Sequence, residues 1–360
     1  MIVIAARITE RKDSRDKYED FMELSDQIDV LFLGSSHVLY GINPVQMYAE
    51  YGITSYNMAK QGGMVTESYW MLMNALDYCS PKCVVIDLWA LDRDYHYLDY
   101  RNEEKSEEDI RNSVSLLHNN MDVWPISPNK VAAINDLIYD PETRKEFIWN
   151  FSLYHDRWSA LNEKDFSSAF GKAGDSSLLG ANQMVAYYPN PGISQPEDRT
   201  EMLPENTVCV QYLYKILDEC QRRGIQVLLT FMPMATSYEQ DWQAVDTAQR
   251  IADERNIPFL NLLSSESQNV IDYHTDMCDD THLNNNGMRK VTSYIGGQLR
   301  SLYDIPDHRG DETYATWNEK VGNWQAAEID LLLNEEELHI ELGQIQNVNA
   351  SAVIFMKGGS

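Results

Sequence analysis

Basic residues are scarce. The chain of 360 residues carries 29 lysines and arginines against 56 aspartates and glutamates, a formal net charge of −27. A surface this acidic repels phosphate backbones and anionic lipid, so no nucleic-acid partner is expected and a strongly anionic substrate is disfavoured. Long apolar runs are missing as well: nothing approaches the roughly 18 consecutive apolar residues of a membrane-spanning helix. The opening MIVIAA is apolar but stops at Arg7, too short for a signal-peptide core and with no basic residues ahead of it. It reads as the end of a membrane tether lying outside the chain. Cysteine is sparse too. Cys79, Cys83, Cys209, Cys220 and Cys278 show neither zinc nor redox spacing, and an odd number cannot all pair. Cys79 and Cys83 could close across a turn, but reduced, buried thiols are the expectation. Internal repeats and low-complexity tracts are absent.

What is present suffices for a core: 43% of residues are hydrophobic and 11% aromatic. Residues 29–33 (DVLFL) form a short apolar run that stops at Gly34, the signature of a buried parallel strand. Asn43-Pro44 opens a helix and Gly52 stops it. Residues 53–57 give a second strand, 66–78 a helix and 84–88 a third strand. Three strand–helix units in under 90 residues predict a parallel sheet wrapped by helices. The rhythm lapses over 94–205, which reads as an insertion forming a lid or cap, with helical patches at 130–139 and 144–161 and a turn-rich loop at 171–196. It returns with a helix at 208–223 closed by Gly224, a strand at 227–231, a helix at 240–255, a strand at 259–262 and a last helix from about Asn286 to Tyr303. The predicted fold is a three-layer α/β/α sandwich on a roughly five-stranded parallel sheet, over 29–303. A leader segment, 1–28, precedes it, and a linker with a small tail, 304–360, follows, with strands expected at 338–342 and 352–356.

Two short stretches carry chemistry. Gly34-Ser35-Ser36-His37 stands where the first strand ends, and side chains at the carboxyl ends of parallel strands face the crevice in which α/β proteins bind ligands. A serine needs a base to become a nucleophile. Asp279-Asp280-Thr281-His282 lies after the fifth strand, in a loop that opens on the same edge of the sheet. His282 there can take the proton of Ser36, and Asp279 can bond its other ring nitrogen and fix the tautomer. If the strand continued past Gly34, His37 would point away from Ser36. Asp276, Asp279, Asp280 and Asn284 gather oxygen atoms, but their spacing matches no calcium loop, so neither a metal nor another cofactor is expected.

The pairing of Gly34-Ser35-Ser36 with Asp279-x-x-His282 resembles the SGNH (GDSL-like) hydrolase superfamily, in which they match the Gly-Asp-Ser and final Asp-x-x-His blocks. Leu31-Phe-Leu-Gly-Ser-Ser-His37, Gly41-Ile-Asn-Pro44 and Tyr154-His155-Asp156-Arg157-Trp158 are similar to bacterial cell-envelope members related to polysaccharide and teichoic-acid modification. The resemblance implies a flavodoxin-like fold and a serine esterase or O-acyltransferase with Ser36, His282 and Asp279 as its catalytic residues. It also implies small acyl esters of a glycan as the substrate class and an extracytoplasmic or membrane-associated location. Gly62 matches the family's oxyanion glycine. The third block is absent, with Asp87-Leu-Trp-Ala-Leu-Asp92 in its place, which leaves Asn57 as a candidate second donor. His37, His155 and Arg157 are candidate cleft residues. Loss of that block also fits a non-catalytic envelope protein that binds a polysaccharide in the same cleft.

Overall fold

Five apolar runs pair in parallel to form one sheet in the computed structural model, which describes residues 13–99, 105–148, 177–193, 201–264 and 269–328. They are β1 (Val30–Leu33), β2 (Ser55–Asn57), β3 (Cys83–Asp87), β4 (Gln226–Phe231) and β5 (Phe259–Asn261), in the spatial order β2-β1-β3-β4-β5. The chain leaves β1 for β2 on one side and then crosses to β3 on the other. The order therefore reverses between β1 and β3, and a crevice opens there at the carboxyl ends of the strands.

Period-two alternation divides the core in two. Val30, Phe32, Val85 and Leu228 face one helical layer, while Leu31, Leu33, Val84, Ile86 and Leu229 face the other. The first layer is α3 (Pro44–Tyr51) and α10 (Asn285–Leu302). They approach so closely that a Cβ on Gly296 would lie 2.5 Å from the Tyr51 ring. The second layer holds α4 (Val65–Ala75), α8 (Val208–Arg223) and α9 (Glu239–Arg255), whose apolar faces join the larger cluster. The result is the expected three-layer α/β/α sandwich.

Local signals set several boundaries. Asn43 accepts the N–H groups of Val45 and Gln46 at 2.9 and 3.2 Å, Pro44 begins α3, and Gly52 ends it in the left-handed conformation. Gly224 ends α8 in the same way. All five cysteines are buried free thiols.

The leader, the insertion and the segment after α10 all add to the core. In the leader, α1 (Asp13–Leu24) buries Phe21 and Leu24, and Phe21 packs edge-on against Tyr56 of β2. In the insertion, expected as a lid or cap, α5 (Glu107–Met121), α6 (Pro128–Leu137) and α7 (Pro141–Ile148) pack onto the sheet domain. Leu117, Met121, Ile134, Leu137 and Phe147 bury in the larger core cluster. Asp136 of α6 anchors them, accepting the Trp70 indole N–H at 2.6 Å and the Tyr212 hydroxyl, with His96 Nδ1 at 3.3 Å.

Residues 305–328, expected as a linker, are docked on the sheet domain. His308 meets the Asp29 carboxylate at 2.7 Å, Lys82 binds that carboxylate at 2.6 Å, and residues 315–328 are helical. Trp317, 1% exposed, packs on Tyr48 and donates to Gln27 at 2.8 Å. Trp317→Ala should cost about 3–5 kcal/mol of unfolding free energy in urea titration, since it empties a full indole volume and strands Gln27. The strands expected at 338–342 and 352–356 lie outside the described residues. No helix among the described residues is long and apolar enough to cross a membrane.

Candidate active site

The end of β1 is built to expose one serine. Gly34 has φ +146°, in the region that favours glycine, and a Cβ there would come within 2.8 Å of Asp87 Cβ. Ser35 is then the N-cap of the short α2 (Ser36–Leu39), its hydroxyl accepting the His37 N–H at 3.3 Å. Ser36 is the first helical residue, 8% exposed.

The loop from β5 to α10 returns over the same edge. Its strands of chain are clamped by Cys278 N–H to the His282 carbonyl and Asn284 N–H to the Asp276 carbonyl, both at 2.9 Å. The N–H groups of Ala235 and Thr236, after β4, both donate to the Asp280 carbonyl. Asn284 caps α10, accepting from Asn286 and Gly287. This scaffold sets His282 Nε2 2.8 Å from Ser36 Oγ. His282 Nδ1 lies 2.9 and 3.1 Å from the two Asp279 oxygens. With Nδ1–H donated to the carboxylate, Nε2 is left as the acceptor for the serine proton.

Asp279 also accepts the backbone N–H groups of Thr281 and His282, each at 2.8 Å. Burial works against its ionisation, but those hydrogen bonds and the imidazole hold the carboxyl well below the usual range, so it is charged at any working pH. Two further rings bracket His282. His37 stacks on it with centroids 5.3 Å apart, and Tyr40 meets it edge-on at 5.4 Å.

The sequence candidates divide clearly. Ser36, His282 and Asp279 come together in one hydrogen-bonded chain, and His37 stacks beside it. The expectation that His37 points away rests on a continuing strand, whereas β1 ends at Leu33 and helical geometry swings His37 against His282. Gly62 sits in the turn after β2 at φ +66°. Gly63 N–H closes that turn on the Lys60 carbonyl, and Lys60 N–H donates to the Gly34 carbonyl at 3.1 Å, so this turn adjoins the serine loop. A Cβ on Gly63 would fall 2.6 Å from the Gly34 carbonyl oxygen.

Asn57 is a correction. Its amide nitrogen donates to the carbonyls of Val38 and Ile42 at 2.9 and 3.1 Å, and its oxygen accepts the Ala59 N–H at 3.1 Å. Both amide hydrogens are spent bracing the chain after β1, so this side chain has no donor left for an oxyanion. His155 and Arg157 lie outside the described residues. The oxygen-rich stretch is committed elsewhere too: Asp276 binds Lys290 at 2.6 Å and the Asp272 N–H at 2.7 Å. What sequence reasoning missed is Asp87, which accepts the Ser35 hydroxyl at 3.3 Å and the Met232 N–H at 3.0 Å. The only signal was an acid closing an otherwise apolar strand.

Fold and site together define an open, doubly wound α/β protein with a serine–histidine–aspartate hydrogen-bonded chain on the carboxyl edge of its sheet. No protein-family model matches the chain, and no curated protein does. Among solved structures, the chain is similar to a Bacteroides fragilis protein described as a "putative acylhydrolase", at 10% identity and a TM-score of 0.39, over 81% of this chain and 99% of that one. Likeness at this level carries no assignment of chemistry.

Proposed function

We propose that the protein is a serine esterase or O-acyltransferase acting through Ser36, His282 and Asp279. The observation that carries the reading is the 2.8 Å contact between Ser36 Oγ and His282 Nε2, with Asp279 on the opposite ring nitrogen. Ser36 Oγ attacks an ester carbonyl while His282 takes its proton; that proton then passes to the departing alcohol, leaving acyl-Ser36. Water or a sugar hydroxyl, deprotonated by His282, attacks the acyl carbon, and His282 returns that proton to Ser36 Oγ as the acyl group leaves. The backbone N–H groups of Ser36 and Gly62 are the proposed oxyanion donors.

The substrate class is a small, acetyl-like ester on a glycan or cell-envelope polymer, following the SGNH resemblance. Exposed Tyr187 and Tyr188 support a sugar-bearing substrate. They lie on a segment bound to the His282 loop by the Tyr188 N–H on the Met277 carbonyl at 2.9 Å, and such rings offer flat faces to sugars. The net charge of −27 favours a substrate without strong negative charge. An extracytoplasmic or membrane-associated location goes with this reading.

The experiment is hydrolysis of p-nitrophenyl acetate by wild type and Ser36→Ala. The expected result is measurable wild-type turnover that falls to background in the variant. Equal rates would remove Ser36 from the chemistry and favour a polysaccharide-binding protein.

A further inference from the structure

A second string of side chains runs behind Asp279–His282–Ser36, and no step of the proposed reaction uses it. Asp87, 3% exposed at the end of β3, accepts the Met232 N–H on one oxygen and the Ser35 hydroxyl on the other. Ser35 Oγ lies 2.8 Å from His37 Nδ1. The His37 ring is 4% exposed, stacks on His282 with planes 21° apart, and meets Trp89 at 4.9 Å.

These partners fix the protons. With Asp87 ionised, Ser35 gives its hydrogen to Asp87, so its oxygen accepts from His37 and Nδ1 carries the ring hydrogen. Nε2 is then a bare lone pair. That atom is buried and finds no hydrogen-bond partner among the described residues, a situation that costs less for an acceptor than for an N–H. Burial, then the neighbouring His282, pushes His37 down to about 3 against the opposing pull of Asp279, so the ring stays neutral. Burial pushes Asp87 up to about 7, so its ionised form prevails above that pH.

We propose that His37, fixed by Asp87 through Ser35, is a positioning residue for His282. It is a neutral ring, held in one tautomer, against which the base stacks as it gains and loses the serine proton. A fixed neutral partner lets His282 charge without like-charge repulsion and confines its plane, while Tyr40 closes another side. The inference rests on the reading of Ser36 and His282 given above.

The test pairs a spectroscopic readout with a kinetic one on the full chain. At about pH 8.5, where Asp87 is ionised, nitrogen NMR should show His37 as the Nδ1–H tautomer. Asp87→Asn, whose carboxamide donates to Ser35 instead of accepting, should switch it to the Nε2–H tautomer. His37→Phe keeps a flat ring without nitrogens, and kcat for p-nitrophenyl acetate should fall about tenfold or more with KM within about twofold. Asp87→Asn should show the same split. An Nε2–H tautomer in wild type, or a kcat within about twofold of wild type in both variants, overturns the inference. If His37→Phe fails to fold, the paired tautomer and kcat readings of Asp87→Asn decide the matter. Wild-type turnover in Ser36→Ala would instead overturn the underlying reading and this inference with it.

Discussion

Replacing His282 with glutamine is expected to lower kcat for p-nitrophenyl acetate by about a thousandfold or more while leaving the protein folded. Among the described residues the serine hydroxyl, 2.8 Å from His282, meets no other base, and an unassisted hydroxyl is a poor nucleophile. Glutamine can still occupy the space between Ser36 and Asp279 but cannot hold and return a proton. Folding should survive because the His282 side chain retains 22% of its exposure and the loop around it is held chiefly by backbone bonds. The check is steady-state kinetics beside a thermal melt. An unchanged melt with an unchanged kcat would show that the imidazole is not the base.

Asp279→Asn is expected to cost at least as much, about 10⁴-fold in kcat, by a different route. The asparagine oxygen can keep the backbone N–H groups of Thr281 and His282, so the turn is preserved. Its NH₂ group, facing Nδ1, would donate where the carboxylate accepted. The imidazole hydrogen is then forced onto Nε2, and the nitrogen that should receive the serine proton already carries one. Because the Asp279 carboxyl is held well below the usual range, the acid limb of the wild-type pH–rate profile should not contain its titration. Asp279→Asn should therefore lower the plateau of that profile. A plateau within about twofold of wild type would mean that Asp279 does not set the tautomer.

The strands and layers were legible because their causes are local. An apolar run stopped by glycine gives β1, Asn43-Pro44 with Gly52 frames α3, and Gly224 closes α8 at Arg223. The docked segment 305–328 was not legible in that way. Trp317, Val321 and Trp324 do recur at helical spacing, but they sit among acidic and polar residues that read as a linker. What orders the segment is distant: Gln27, Tyr48 and Asp29.

The site shows the same divide. Ser36, Asp279 and His282 could be paired by reasoning from strand ends. The fate of Asn57 depends on which carbonyls the chain after β1 turns toward it, and no spacing rule gives that. His37 was misdirected by one residue of geometry. Extending β1 past Gly34 sends it away, whereas an N-cap at Ser35 brings it onto His282. Asp87 enters the serine loop only because β1 and β3 are neighbours and Gly34 leaves room for its Cβ.

The central claim is that Ser36 is a nucleophile activated by His282. Its most direct measurement is intact-mass and peptide-mapping analysis after exposure to a fluorophosphonate, which captures activated serines covalently. The account predicts a single adduct on Ser36 in wild type, lost in Ser36→Ala and strongly slowed in His282→Gln. Full-length wild-type protein that stays unlabelled at Ser36, or labels as fast without His282 as with it, would contradict it.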